Sequence, residues 1–138
     1  MSVNTSERVE QVANDVPVKT TQDDFISYTP SFDGVFSLDV YFRPMGIEEG
    51  QSDTGTVTFS FVYTDAVGPR TFTSGPGYRH DGTTLTQGVY SSIVSSTTSD
   101  IWAIRYFFQS LAGQTITFSA VNGLSDDTMA ITAVLKSY

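Results

Sequence analysis

The chain has 138 residues, which is enough for one domain with its own hydrophobic core. It contains no cysteine, which excludes disulfides and thiolate chemistry, and its net charge of -8 argues against a nucleic-acid partner. The first residues lack the basic and apolar parts of a signal peptide, and no apolar run reaches membrane-spanning length. We therefore expect a complete product made in the cytoplasm, with no membrane partner.

Residues 1–28 differ from the rest of the sequence and are predicted to form an N-terminal arm. No aromatic residue precedes Phe25, and Asn4 and Glu7 have the spacing of a helix capping box. Three valines follow at helical spacing before Pro17: Val9, Val12 and Val16. The alternative to a short helix is an extended polar terminus, which becomes ordered when a contact holds it. We hypothesise that the apolar residues of the arm contact a neighbouring molecule: Val9, Val12, Val16, Val18 and Phe25.

The stretch from Gly34 to Arg43 alternates between apolar and polar side chains, which predicts a half-buried strand. The inward face is expected to carry four apolar residues: Phe36, Leu38, Val40 and Phe42. The outward face is expected to carry the residues between them: Ser37, Asp39, Tyr41 and Arg43.

Residues 55–74 repeat this alternation on either side of a short polar turn. Four apolar residues share the inward face of the first half: Val57, Phe59, Phe61 and Tyr63. In the turn, Asp65 can accept hydrogen bonds from the nearby backbone and Gly68 can adopt a positive φ. The pattern predicts a β-hairpin.

Further strands are predicted from short runs rich in β-branched and aromatic residues, separated by turns containing Gly, Ser or Asp: 24–28, 84–94, 101–109, 115–121 and 128–136. About eight strands result, without intervening helices. Residues 29–138 are therefore predicted to form an all-β, antiparallel β-sandwich, with the jelly roll as the expected topology.

The sequence offers no convincing catalytic or metal-binding set, so we expect neither an enzyme nor a cofactor. The single histidine, His80, neighbours Asp81 in a predicted loop, where adjacent residues rarely orient towards each other. Five aspartates lie in or near turns and follow no calcium-loop consensus: Asp65, Asp81, Asp100, Asp126 and Asp127.

The strand beginning at Ile101 is apolar on both faces, which indicates that both faces are covered. One face should line the sandwich core. The second is covered by another subunit, by the N-terminal arm or, as a third choice, by a sugar. We favour a subunit, because association surfaces are rich in aromatic residues. The face assigned to this oligomer interface carries Trp102, Ile104, Tyr106 and Phe108.

A succession of strands and turns extends over five segments: residues 33–41, 55–66, 70–73, 107–119 and 129–136. This succession resembles a pattern found in small structural proteins of tailed bacteriophages. The resemblance covers most of residues 30–138 and consists of strands and turns rather than a catalytic signature. The N-terminal arm and the strand from Trp102 to Phe108 depart from the pattern.

The resemblance implies a β-sandwich, often a jelly roll and often trimeric, that acts as a capsid decoration or cement protein. The expected partners are the major capsid protein and further copies of the chain, as a homotrimer on the virion surface. The arm residues would then contact the shell. The alternative is a tail-fibre tip or a carbohydrate-binding module in which Tyr41, Tyr78 or Trp102 stacks on sugar rings.

Overall fold

The computed structural model describes residues 8–45, 56–94, 101–123 and 128–138. All the regular secondary structure in these ranges is β-strand. Eleven strands follow one another along the described chain: β1 (Arg8–Pro17), β2 (Asp23–Tyr28), β3 (Gly34–Pro44), β4 (Thr56–Thr64), β5 (Pro69–Phe72), β6 (Gly75–His80), β7 (Leu85–Tyr90), β8 (Ser92–Val94), β9 (Ile101–Ser110), β10 (Ile116–Asn122) and β11 (Met129–Ser137). Within the same ranges, no helix has the length and apolarity needed to cross a membrane.

The strands form two antiparallel sheets that pack against each other. The six-stranded sheet has the order β1-β11-β3-β9-β6-β7, and the second has the order β2-β10-β4-β5, with β8 also paired to β4. Without β6, β7 and β8, the remaining strands pair first-eighth-third-sixth in one sheet and second-seventh-fourth-fifth in the other. That order is a jelly roll, so the predicted sandwich topology is confirmed.

The described residues form eleven strands rather than about eight, for three local reasons. Strands β1 and β6 lie in segments that were predicted as an arm and a loop. The predicted strand over residues 84–94 is divided at Ser91, because β7 pairs in the six-stranded sheet while β8 pairs with β4 in the other sheet.

Residues 8–17 form a strand and not a helix, while Asn4 and Glu7 lie outside the described residues. Strand β1 pairs with β11, and its register shifts twice, between Val9 and Gln11 and between Ala13 and Val16. At the second shift Asp15 adopts a positive φ of 53°. Such bulges change which face the following side chains occupy. Strand β1 belongs to the six-stranded sheet and β2 to the second sheet, so residues 8–28 contribute one strand to each sheet of the sandwich.

The core forms where the alternation of β3 and β4 predicts it. The inward residues of β3 are fully buried or nearly so: Phe36, Leu38, Val40 and Phe42. On the facing sheet, Phe61 is fully buried and its ring centroid lies 4.4 Å from that of Tyr106 and 4.9 Å from that of Phe108. Aromatic rings from both sheets therefore interlock at the centre of the sandwich.

The predicted hairpin of β4 and β5 is present, with Thr64 paired to Pro69. The Asp65 carboxylate accepts hydrogen bonds from the backbone N–H groups of Val67 and Gly68, and Gly68 has a φ of 150°. Arg70 donates to the same carboxylate, and this hydrogen bond lowers the pKa of Asp65. The polar residues of the turn are thus used to close it.

Candidate binding face of the six-stranded sheet

The two faces of β9 have opposite environments. Its even-numbered aromatic and aliphatic side chains point into the core and are 2–8% exposed: Trp102, Ile104, Tyr106 and Phe108. They belong to the hydrophobic core of the chain itself, so they are not available to line an oligomer interface as hypothesised. The neighbouring Phe107 points outward and is 68% exposed.

The apolar residues of the predicted arm do not form a common external contact surface. Val18 and Phe25 belong to the buried core, and Val16 packs partly against it. Val12 is 55% exposed and pairs with Val134 of β11. Val9 pairs with Lys136, but its side chain lies outside the description. Among the described side chains of this hypothesis, only Val12 on β1 is exposed enough to contact a neighbouring molecule.

Large apolar side chains are concentrated on the outer surface of the six-stranded sheet, which we call the apolar face. Cross-strand register and alternation place on it eight of the eleven large hydrophobic residues that the described chain exposes: Val12, Val35, Tyr41, Tyr78, Leu85, Val89, Phe107 and Tyr138. Extended apolar patches of this kind mark interaction sites in soluble proteins.

The outer surface of the second sheet is different. Its outward positions are mostly hydroxyl side chains: Ser27, Thr58, Ser60, Thr71 and Thr117. Such residues hydrogen-bond to water and leave little apolar area to cover. We call this surface the hydroxyl face.

A groove of about 650 Å³ crosses the apolar face. Its floor includes Ala103 of β9, which lies between two cross-strand partners, Tyr41 of β3 and Tyr78 of β6. Phe107 also borders the groove, on the same strand as Ala103. The small side chain between two half-exposed tyrosines creates the depression. A second hollow of about 330 Å³, bordered by the same tyrosines, continues towards Leu85.

The groove depends on the close approach of β6 to β9. A Cβ on Gly77 would collide with the carbonyl oxygen of Ala103, and one on Gly75 would lie 2.5 Å from the Ile104 side chain. The sequence Gly75-Pro76-Gly77 resembles a turn, yet it forms a strand because glycine permits this approach. The pairing of β6 with β9 brings Tyr78 opposite Ala103.

The charged groups on the apolar face are paired. Arg105 lies 3.2 Å from Asp39, its cross-strand partner at the middle of the face. Arg43 donates two hydrogen bonds to the Asp15 carboxylate, which lower the pKa of Asp15. The described part of this face therefore carries no excess of negative charge, in contrast to the chain as a whole.

The described residues that were considered for catalysis or metal binding stabilise their own turns. His80 is the last residue of β6 and its Nδ1 accepts a hydrogen bond from the Gly82 N–H. The Asp81 carboxylate accepts hydrogen bonds from the backbone of Thr84 and from Thr83, which lower the pKa of Asp81 to about 2. Among the residues that the structure describes, no group of three or more potential ligands could hold a metal ion. Three candidate aspartates lie outside those residues: Asp100, Asp126 and Asp127.

The chain matches no protein-family model and no curated protein. We therefore infer the function from the geometry of the apolar face and from the resemblance in the strand and turn pattern.

Proposed function

We propose that this chain is a virion structural protein that binds and stabilises a bacteriophage capsid shell as a decoration or cement protein. The observation that carries the proposal is the apolar face, which is large and rich in exposed aromatic residues. The hydroxyl face, on the opposite side of the sandwich, carries polar side chains that water can hydrate. A protein with one such face works by docking to another surface. No catalytic turnover is part of the proposed mechanism.

The jelly-roll sandwich is the fold that the phage resemblance implies. Its strands support both faces rigidly, so little conformational entropy is lost when a face is covered. On a symmetric shell the same contact recurs many times, and a modest free energy of each contact is multiplied through avidity. Stabilisation would thus come from binding alone.

Co-sedimentation with capsid shells that lack the protein tests the proposal. The protein should pellet with bare shells and raise the temperature at which they disassemble. Shells already saturated with the protein are the matched control and should bind no more of it. Failure to pellet with bare shells would contradict the proposal.

Truncation of residues 1–20 is not a suitable test. It would remove β1, which pairs with β11, and the core residue Val18. Loss of shell binding by that variant would report a damaged sandwich rather than a lost contact. Point substitutions at exposed residues leave the sandwich intact and are therefore preferred.

A second candidate function is carbohydrate binding, and the groove is the observation that favours it. Tyr41 and Tyr78 lie on strands separated by β9, so their backbones are about 10 Å apart, a span suited to a short oligosaccharide. Gln87 and Thr132 extend the same cross-strand row and provide hydrogen-bonding groups at its ends. Aromatic rings flanked by such groups are typical of sites that stack on sugars.

A glycan array distinguishes this candidate from shell binding. Reproducible binding that is lost in Tyr78→Ala would support it, and the absence of binding to any glycan would reject it. Trp102→Ala is unsuitable for this purpose because Trp102 is 6% exposed and faces the core. Its substitution would test stability and not sugar stacking.

A further inference from the structure

We infer that the apolar face is the contact surface between copies of this chain, with Phe107 of one copy seated in the groove of another between Tyr41 and Tyr78. This inference concerns the isolated protein and does not require shell binding. Because both contacts use the apolar face, a second copy and the shell compete for it. It also replaces the oligomer interface hypothesised from the sequence by the opposite face of the same strand.

The apolar face carries both a protruding side chain and a depression that can receive it. Phe107 is 68% exposed, and its ring centroid lies 5.7 Å from that of Tyr138, which supports it from one side. Ala103 lies four residues earlier on the same strand, which places the floor of the groove about 13 Å away along β9. Because both features recur on every copy, a second copy is complementary to the first.

The size of the face matches what a stable association requires. Its six strands are six to eleven residues long. With a strand spacing of about 4.8 Å and a rise of about 3.3 Å per residue, they cover roughly 800 Å² before the relief of the side chains is included. A standard protein interface buries about 800 Å² on each partner. One sheet face is therefore large enough to support an oligomer.

The charges of the face permit the contact between identical chains. Two acidic chains, each with a net charge of -8, repel each other at most orientations. On the apolar face, however, Asp39 is paired with Arg105 and Asp15 with Arg43. Each of these two carboxylates keeps its cation when the face is covered, so neither is buried as an unpaired charge.

The competing surface does not have these properties. The hydroxyl face has Ser and Thr at most outward positions, and its described hollow has a volume of about 110 Å³. Among the described residues, this face therefore offers less apolar area and a much smaller depression than the groove of about 650 Å³. Because of this difference, we assign self-association to the six-stranded sheet alone.

Light scattering across a concentration series, without shells, tests the inference. The wild-type protein should form a closed oligomer, whose mass counts two copies for a symmetric pair or three for a ring. Phe107→Asp should weaken association about 30-fold or more, as expected for a hot-spot residue. Val67→Asp is the matched control, since Val67 is 83% exposed in the β4–β5 turn and should leave the mass unchanged.

A second variant tests the groove itself. Ala103→Phe fills the depression between the two tyrosines while adding apolar area to the face. If Phe107 must enter the groove, this variant should also weaken association by about tenfold or more. Stronger association of Ala103→Phe would show a merely adhesive surface and overturn the inference.

Other results would overturn it as well. A wild-type protein that stays monomeric over the whole concentration series excludes the contact, and so does a Phe107→Asp variant that remains oligomeric. Circular dichroism and unfolding by denaturant establish that the variants are folded, as expected for a side chain on the solvent side of β9. An oligomer that ignores shells would contradict the proposed function alone, and a monomer that pellets with shells would contradict this inference alone.

Discussion

The two sheets of the sandwich are alike on the inside and different on the outside. Both contribute aromatic and aliphatic side chains to one core, as Phe61 and Phe108 do. On their outer surfaces, one sheet has exposed aromatic residues and a groove, while the other has hydroxyl groups. Core packing explains the inner positions of both sheets. The outer positions differ because, on the proposal made above, one sheet meets another protein and the other meets water.

The inner and outer surfaces of the six-stranded sheet can be compared at two neighbouring residues of β9, the exposed Phe107 and the buried Phe108. Phe108→Ala should lower the free energy of unfolding by about 3–5 kcal/mol, because it leaves a cavity among the rings of the core. Phe107→Ala should lower the stability of the monomer by less than about 1 kcal/mol. Denaturant unfolding at a concentration where both variants are monomeric measures the difference. Equal losses would mean that the exposed ring is part of the fold rather than a contact.

The hairpin of β6 and β7 extends only the sheet that carries the apolar face. Substitution of Gly77, where β6 pairs with β9, tests whether close approach of the two backbones requires glycine. Gly77→Ala should destabilise the protein by about 1–3 kcal/mol, because the new Cβ collides with the carbonyl oxygen of Ala103. Gly88→Ala is a matched control at the cross-strand partner position, where the nearest atom would be the Tyr90 hydroxyl at 3.4 Å.

Thermal unfolding and amide hydrogen exchange of the hairpin together measure this effect. The exchange of β6 amides should accelerate in Gly77→Ala and remain close to wild type in Gly88→Ala. If both variants behaved alike, close approach of the backbones would not be the reason for the glycine, and the groove wall would need another explanation.

The turn at the tip of that hairpin should give it a weak pH dependence. Hydrogen bonds from Thr84 and Thr83 lower the pKa of Asp81 from 3.8 to about 2 in the folded protein. Above the unfolded-state pKa of 3.8, the ionised carboxylate therefore stabilises the hairpin. This stabilisation is lost as the pH falls from 3.8 through the folded-state pKa of about 2. The melting temperature of wild type should approach that of Asp81→Asn as the pH is lowered from 5 towards 2. A constant difference over this range would contradict the assignment.

The smallest effect is expected on the hydroxyl face. Thr58→Val places an apolar side chain at an exposed, outward-facing position of β4. The free energy of unfolding should change by less than about 0.5 kcal/mol and the solution mass should not change. A large change in mass would show that this face also takes part in association, and the contrast between the two sheets would be lost.

The strands with one wet face could be predicted well from the sequence. In β3, alternation identifies the buried residues Phe36 and Phe42 and places Tyr41 outside, where the structure has it. The β4–β5 hairpin was equally predictable, because Asp65 and Gly68 have the chemistry that its turn requires. Period-two patterns and turn residues are local signals, and these elements depend on local signals alone.

Strand β1 was not predicted because its bulges disturb the alternation. The register shift around Asp15 leaves Val12 outward and Val16 partly packed against the core, four residues later. That spacing imitates a helix. A bulge depends on pairing with β11, which lies more than a hundred residues away along the chain, so the pattern of residues 8–17 alone could not reveal it.

The candidate site was only partly predictable for a related reason. The sequence of β9 is apolar on both faces, and alternation cannot say which face meets the core. Only the pairing with β3 and the packing of the second sheet decide this, and they turn Phe107 outward. Strand β6 was missed because glycines that allow strands to approach closely look like turn residues.

The pairing of β1 with β11 has a practical consequence for the topology. Arg8 and Ser137 are cross-strand partners, so the described chain begins and ends at the same corner of the six-stranded sheet. A short linker between those positions, with a new break in the exposed β4–β5 turn near Val67, would give a circular permutant that retains every strand pair. Fusions joined at Arg8 and at Ser137 would emerge side by side, and the break would present a third attachment point in a turn of the opposite sheet.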